Sequence, residues 1–190
     1  MTLFLLLIGS YMLGTVLTAS IISKFFYKKN ISEQGSGNPG ARNAGRVLGK
    51  KAFVTTFIGD ALKGAVAVFI ARWLGFAAPV ELLALFVVVL GHNYPVWLRF
   101  RGGMGVSTFI GGMLAFNPIL FVVFVGLFVV FYPFLKSFTI AGLSAVVWMP
   151  TLVLIFSYGI PTFIIACLLA GLLLIAHRED LKEKILLRRG

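Results

Sequence analysis

Residues 105–135 read "GVSTFIGGMLAFNPILFVVFVGLFVVFYPFL". The fold depends on whether this apolar run is one segment or two. Asn117-Pro118 interrupts it. A proline disfavours the helical conformation of the residue before it, so the run is expected to divide there. The first piece, 105–116, is then about 12 residues, or roughly 18 Å of helix. That is too short to cross about 30 Å of hydrocarbon unaided. The second piece, about 118–135, is long enough.

The rest of the chain repeats this character. Of its 190 residues 59% are hydrophobic and 12% charged, against about 25% charged in a soluble domain. Runs such as "LLALFVVVL" do not alternate, which argues against a membrane β-barrel. The expectation is an all-α polytopic membrane protein with one domain over 1–190. Its helices are expected at roughly 3–23, 52–72, 80–98, 105–116, 118–135, 138–156 and 160–176. Ser10, Gly14 and Thr18 form a small-residue stripe on the first, suited to close helix packing. That first span has no basic region before it, so it is expected to be retained rather than cleaved.

Charge sets the expected sidedness. The formal net charge is +11, from 17 basic and 6 acidic residues. Lys24, Lys28, Lys29, Arg42, Arg46, Lys50 and Lys51 fall in 24–51. Arg99 and Arg101 fall in a second polar stretch and Lys136 in a third. Arg178, Lys182, Lys184, Arg188 and Arg189 fall in the tail. Seven transmembrane or partly spanning segments, with the N-terminus out and the C-terminus in, put all of these on the cytoplasmic face. Lys63 and Arg72 are the exceptions. Leaving 105–135 unsplit would put the tail outside. The clusters read as topology signals, not as a nucleic-acid surface.

Four polar stretches meet that face. "GSGNPGARNAGR", 35–46, has glycines that permit positive φ and close ligand approach. Ser36, Asn38 and Asn43 add short hydrogen-bonding groups, and Arg42 and Arg46 add charge-assisted donors suited to phosphate. Exposed amides around Gly37 could form an anion nest. "GDALKG", 59–64, places Asp60 and Lys63 one turn apart on an apolar helix. Such charges are costly there and are usually paired, functional, or both. "GHNYPVWLRF", 91–100, brings His92 to the interface. "RGGMGVST", 101–108, leads Gly102, Gly103 and Gly105 into the start of a short helix, where free amides and the helix dipole favour an anion. Ser107 and Thr108 follow. His177 and Arg178 open the tail, whose later residues read as solvated. Neither a metal-ligand spacing nor a Walker A loop is present. The expected ligand carries phosphate at the cytoplasmic interface and holds an apolar part between helices.

"GSGNPGARNAGR", "DALKG", "GHNYPVWLRFRGGMGVST" and "HRED" resemble, in order and spacing, the bacterial acyl-phosphate:glycerol-3-phosphate acyltransferases of the PlsY family. The resemblance spans nearly the whole chain. It implies a seven-segment inner-membrane enzyme that moves a fatty acyl group from acyl phosphate to glycerol 3-phosphate, giving lysophosphatidate, without acyl-CoA, metal or cofactor. An enzyme producing acyl phosphate is then expected upstream. By resemblance Ser36, Arg46 and His177 are the catalytic candidates. Asn38, Asn43, Lys63, His92, Gly102, Gly103, Gly105, Thr108 and Arg178 are the substrate- and phosphate-binding ones, and the loop's own chemistry adds Gly37 and Arg42 to them.

Four features depart from the family pattern. Met104 stands where the family usually has Lys, Arg42 where it has Thr, and Asp180 where it has Asn. The Gly-x-Glu that usually follows the third motif is absent before Gly190. These changes predict an altered phosphate seat. They leave two alternatives to an active enzyme: an impaired paralogue that binds phosphorylated lipid or regulates an active homologue, and an anion transporter.

Overall fold

The computed structural model describes residues 1–186, with side chains through Glu183. The Lys184 side chain and Arg188 and Arg189 of the basic tail lie outside that description. All regular structure among the described residues is helical. Five helical segments are long and apolar enough to cross a membrane, or six if the bent pair at the N-terminus is one span. The chain forms two compact units, Met1–Phe116 and the residues from Asn117 onward.

The first unit holds α1 (Thr2–Thr15), α2 (Thr18–Phe26), α3 (Ala41–Leu48), α4 (Lys50–Trp73), α5 (Ala78–Asn93) and α6 (Val106–Phe116). α4 is its centre and packs against the other five. Small residues permit the close crossings. A side chain on Gly64 would strike the Thr108 carbonyl of α6, and one on Gly111 would strike the Ala61 carbonyl of α4. Gly14 of α1 and Gly91 of α5 meet in the same way. At one end of the unit, Arg72 donates to Glu81 at 2.6 Å and to the Phe116 carbonyl at 2.8 Å. It thereby fastens the last turn of α6 to α4 and α5.

Three expectations are corrected here. The helix expected at 3–23 is broken: Val16 and Leu17 are extended, and α1 and α2 meet at 41°. No proline marks the break, and Gly14 just before it was read as a packing residue, so the local sequence did not reveal it. The stripe survives as Ser10 and Gly14, buried on α1, while Thr18 begins α2. The loop expected at 24–51 contains α3, whose Ala41, Asn43 and Ala44 are buried while Arg42 and Arg46 are exposed. Ala44 packs with Ala19 and Ile22 of α2 and Ala52 of α4, which is what makes so short a helix worth forming. The helix expected at 80–98 ends at Asn93. Pro95 restricts Tyr94, and a single 3-10 turn, Val96–Leu98, follows.

The second unit holds α7 (Pro118–Leu135), α8 (Phe138–Ile155), α9 (Gly159–Ala176) and α10 (Arg178–Leu186), with consecutive helices packed together. The break at Asn117-Pro118 is where the sequence reading put it. Asn117 caps α7 by accepting the Leu120 N–H at 2.9 Å, and its amide donates to the Tyr158 hydroxyl at 2.6 Å. Lys136 closes α7 in the left-handed region, and Ser137 caps α8. The start of the tail is helical as α10.

Candidate functional site

The break in the first helix strips hydrogen-bond partners from its backbone. In a membrane such groups cannot turn to water. The Asp60–Lys63 pair of α4 takes them up. Lys63 Nζ donates to the Gly14 carbonyl at 3.1 Å and the Val16 carbonyl at 2.7 Å, at the C-terminal end of α1. Asp60 Oδ1 accepts from the Thr18 hydroxyl at 2.9 Å and the Thr18 N–H at 3.4 Å, at the N-terminal end of α2. The ammonium thus meets the negative end of one helix dipole and the carboxylate the positive end of the next. The two charges are 3.0 Å apart, with side chains 4% and 1% exposed.

Lys63 also bonds His92 Nδ1 at 2.7 Å. An ammonium can only donate, so Nδ1 accepts and the imidazole proton sits on Nε2. That edge of the ring faces Gly103, where a Cβ would collide with Nε2. Asp60, Lys63, His92 and Gly103 therefore form one contiguous chain of contacts. Thr18 is a member that the sequence reading did not name as a partner. A signal existed: an aspartate in an apolar helix needs donors from a neighbour.

The glycine-rich stretch folds back over the end of α5. Gly102 N–H donates to the Asn93 carbonyl and Gly103 N–H to the His92 carbonyl, both at 3.0 Å. These bonds satisfy carbonyls that the helix end leaves open. A Cβ on Gly102 would strike the His92 carbonyl, so glycine is required for the approach. Arg99, Phe100 and Gly105 all have positive φ, which reverses the chain and aims it into α6. The α6 ladder begins with Phe109 N–H donating to the Gly105 carbonyl at 2.8 Å. The amides of Val106, Ser107 and Thr108 precede it and form the positive end of the helix. Thr108 is fully buried against α4, and Met104 is half-buried.

In the first motif Asn43 works as a clamp. Its Oδ1 accepts the Ser36 N–H at 3.0 Å, and its Nδ2 donates to the Gln34 carbonyl at 2.9 Å. Gly35, with φ of 60°, passes close over the same amide. Gly37, with φ of 71°, bonds back to the Gln34 carbonyl at 3.0 Å. Ser36 is thus presented at the surface, while Asn38 is half-buried. Arg42 and Arg46, one turn apart, share the exposed face of α3.

In the second unit, His177 is buried and its Nδ1 lies 2.8 Å from the Leu173 carbonyl. A carbonyl only accepts, so this ring carries its proton on Nδ1. Arg178 is exposed and pairs with Glu179 at 3.2 Å. Asp180 is half-buried on the first turn of α10. No group of three or more His, Cys, Asp or Glu side chains suited to a metal occurs among the described residues.

These features define a helical integral membrane protein whose glycine loop, helix N-terminus and arginine-bearing helix suit a phosphate. The profile of the family described as glycerol-3-phosphate acyltransferase matches residues 4–186, and the chain belongs to that family. It is 45% identical to glycerol-3-phosphate acyltransferase 1 of Bacillus cereus, over 93% of this chain and 95% of that one. The protein of the same name from Desulfitobacterium hafniense is 38% identical, over 95% and 89%. The fold superposes on the crystal structure of PlsY (YgiH), an integral membrane glycerol 3-phosphate acyltransferase, in its glycerol 3-phosphate form. The TM-score is 0.89 at 28% identity, covering 99% of this chain and 94% of that one. The lysophosphatidic acid form of that protein gives 0.86 at 29% identity, with the same coverage. The expectation that Met104, Arg42, Asp180 and the absent glutamate mark an impaired member is not borne out, given relatives of this similarity carrying the enzyme's name.

Proposed function

We propose that this protein acylates glycerol 3-phosphate to lysophosphatidate in phospholipid synthesis, with acyl phosphate as the donor. The observation that carries the reading is the glycine loop, locked over the end of α5 and leading into the N-terminus of α6, in a chain similar over nearly its whole length to proteins named glycerol-3-phosphate acyltransferase.

In the reaction, the primary hydroxyl of glycerol 3-phosphate attacks the acyl carbonyl. A new C–O ester bond forms and the bond from acyl carbon to phosphate oxygen breaks. The hydroxyl proton leaves with the departing phosphate; His177, in the second unit, is the side-chain candidate for a base. Catalysis rests on positioning and charge stabilisation. Arg46 and Ser36 serve the leaving phosphate. Gly37, Asn38, Arg42 and Asn43 shape that loop. His92, Gly102, Gly103, Gly105 and Thr108, with Lys63 behind His92, hold the acceptor, and Arg178 is a separate phosphate-binding candidate of the second unit. The chain takes seven transmembrane or partly spanning segments in the bacterial cell membrane, N-terminus out, with these motifs at the cytoplasmic face.

The test is purified protein in detergent with palmitoyl phosphate or palmitoyl-CoA and glycerol 3-phosphate, scored for lysophosphatidate. Product from the phosphate and not from the thioester is expected. No product from palmitoyl phosphate overturns the reading. Topology is tested by replacing Lys136 with cysteine in a Cys167→Ala background. Labelling from outside intact cells should fail, and ready labelling refutes the orientation.

A further inference from the structure

Two buried polar side chains flank the glycine loop in sequence: Asn93 before it and Thr108 behind it. Asn93 is 4% exposed. Among the described residues, neither its Oδ1 nor its Nδ2 meets a hydrogen-bond partner, and neither does Thr108 Oγ1. A carboxamide offers two donors and two acceptor sites. Burying all of them unpaired is destabilising, and native proteins rarely do so without a reason. Thr108 is already among the residues proposed for the acceptor. Asn93 lies within the 91–100 stretch but has no role assigned above.

Its place on α5 indicates what it serves. Val88 and Gly91 mark the edge of α5 that meets α1, and His92 faces Lys63 of α4. Leu85 meets Gly112 of α6. Leu82, Val89 and Asn93, spaced by seven and four residues, form a buried stripe on the side of Leu85 away from α1. The amide therefore lies on the face of α5 away from α1, at the helix end over which the glycine loop folds. That loop is bonded to the Asn93 carbonyl through Gly102 N–H.

A neutral amide is a poor choice for phosphate, which the helix N-terminus and the arginines suit better. It is a good match for a hydroxyl, which also donates and accepts. We infer that Asn93 binds the middle hydroxyl of the glycerol 3-phosphate acceptor and so determines acceptor specificity; this rests on the acyltransferase reading above.

The experiment compares glycerol 3-phosphate with 3-hydroxypropyl phosphate, using palmitoyl phosphate as donor and the full chain in detergent. The analogue keeps the phosphate and the attacking primary hydroxyl and lacks the middle one. The wild type should prefer glycerol 3-phosphate by about tenfold or more in kcat/KM. Asn93→Leu should narrow this to within about threefold by lowering kcat/KM for glycerol 3-phosphate alone. Its thermal midpoint should hold or rise, because the unpaired amide is gone. Asn93→Ala supplies the same comparison if leucine prevents folding. Transfer to neither acceptor by the wild type overturns the acyltransferase reading, and the proposal with it. Equal use of both acceptors by an active wild type overturns the proposal alone. So does a variant that keeps the preference, loses both acceptors equally, or changes only the KM for palmitoyl phosphate.

Discussion

Asp60 and Lys63, one turn apart on α4, close the two ends of a broken membrane helix: the carboxylate holds Thr18 at the start of α2, and the ammonium holds the Gly14 and Val16 carbonyls at the end of α1. The pair is also joined to His92, which touches the glycine loop. A kink in the first helix and the orientation of the loop thus share one electrostatic support.

Removing one partner leaves a buried charge uncompensated. Asp60→Asn or Lys63→Met alone should cost about 3–5 kcal/mol. The double change should cost less than the sum, because no orphan charge remains. Thermal unfolding in detergent with a double-mutant cycle measures this. Additive losses would mean that the two residues act independently.

Gly64 is fixed by a backbone, not by a flexible side chain: its missing Cβ is where the Thr108 carbonyl lies. Gly64→Ala should destabilise by about 1–3 kcal/mol through forced separation of α4 and α6. Gly142 on α8 has nothing within 4 Å of a Cβ. Gly142→Ala should be neutral or stabilising by about 0.5–1 kcal/mol. Equal effects on the unfolding midpoint would contradict the packing account.

Asn43 holds the first-motif loop through Ser36 N–H and the Gln34 carbonyl. Asn43→Ala should release that loop at a cost of about 1–3 kcal/mol. Amide exchange over residues 31–40 should accelerate roughly five- to 150-fold, with α5 and α6 little changed. Unaltered exchange in the loop would remove Asn43 from this role.

Arg46 is exposed on α3, so its loss should not unfold the protein. If it contacts phosphate, Arg46→Ala removes a charge-assisted bond worth about 1.5–3 kcal/mol. Turnover should then drop by roughly ten- to 150-fold. An unchanged rate would return Arg46 to the topology signals.

Met104 lies between Gly103 and Gly105, just before the positive end of α6. Met104→Lys is close in length and unbranched. It should tighten binding of inorganic phosphate, read as lower inhibition constants, and slightly lower the thermal midpoint in phosphate-free buffer through crowding of positive charge. Adding Arg42→Thr should relieve that crowding. No change in either background would show that position 104 does not face the anion.

The apolar helices, the division at Asn117-Pro118 and the composition of the polar motifs followed from the sequence, because hydrophobicity, proline and charge act over a few residues. So did the pairing of Asp60 with Lys63, which one helical turn enforces. The break at Val16–Leu17 carried no local mark. It depends on Asp60 and Lys63, more than forty positions away, taking over the freed backbone groups. The helix α3 was hidden by Gly45 and the glycines that flank it, and forms because Ala44 packs between α2 and α4. Nothing in the sequence singled out Asn93, which fell inside the helix expected at 80–98. Only the packing of α5 against its neighbours made it a buried amide without a partner, because burial is decided by what the rest of the chain brings alongside.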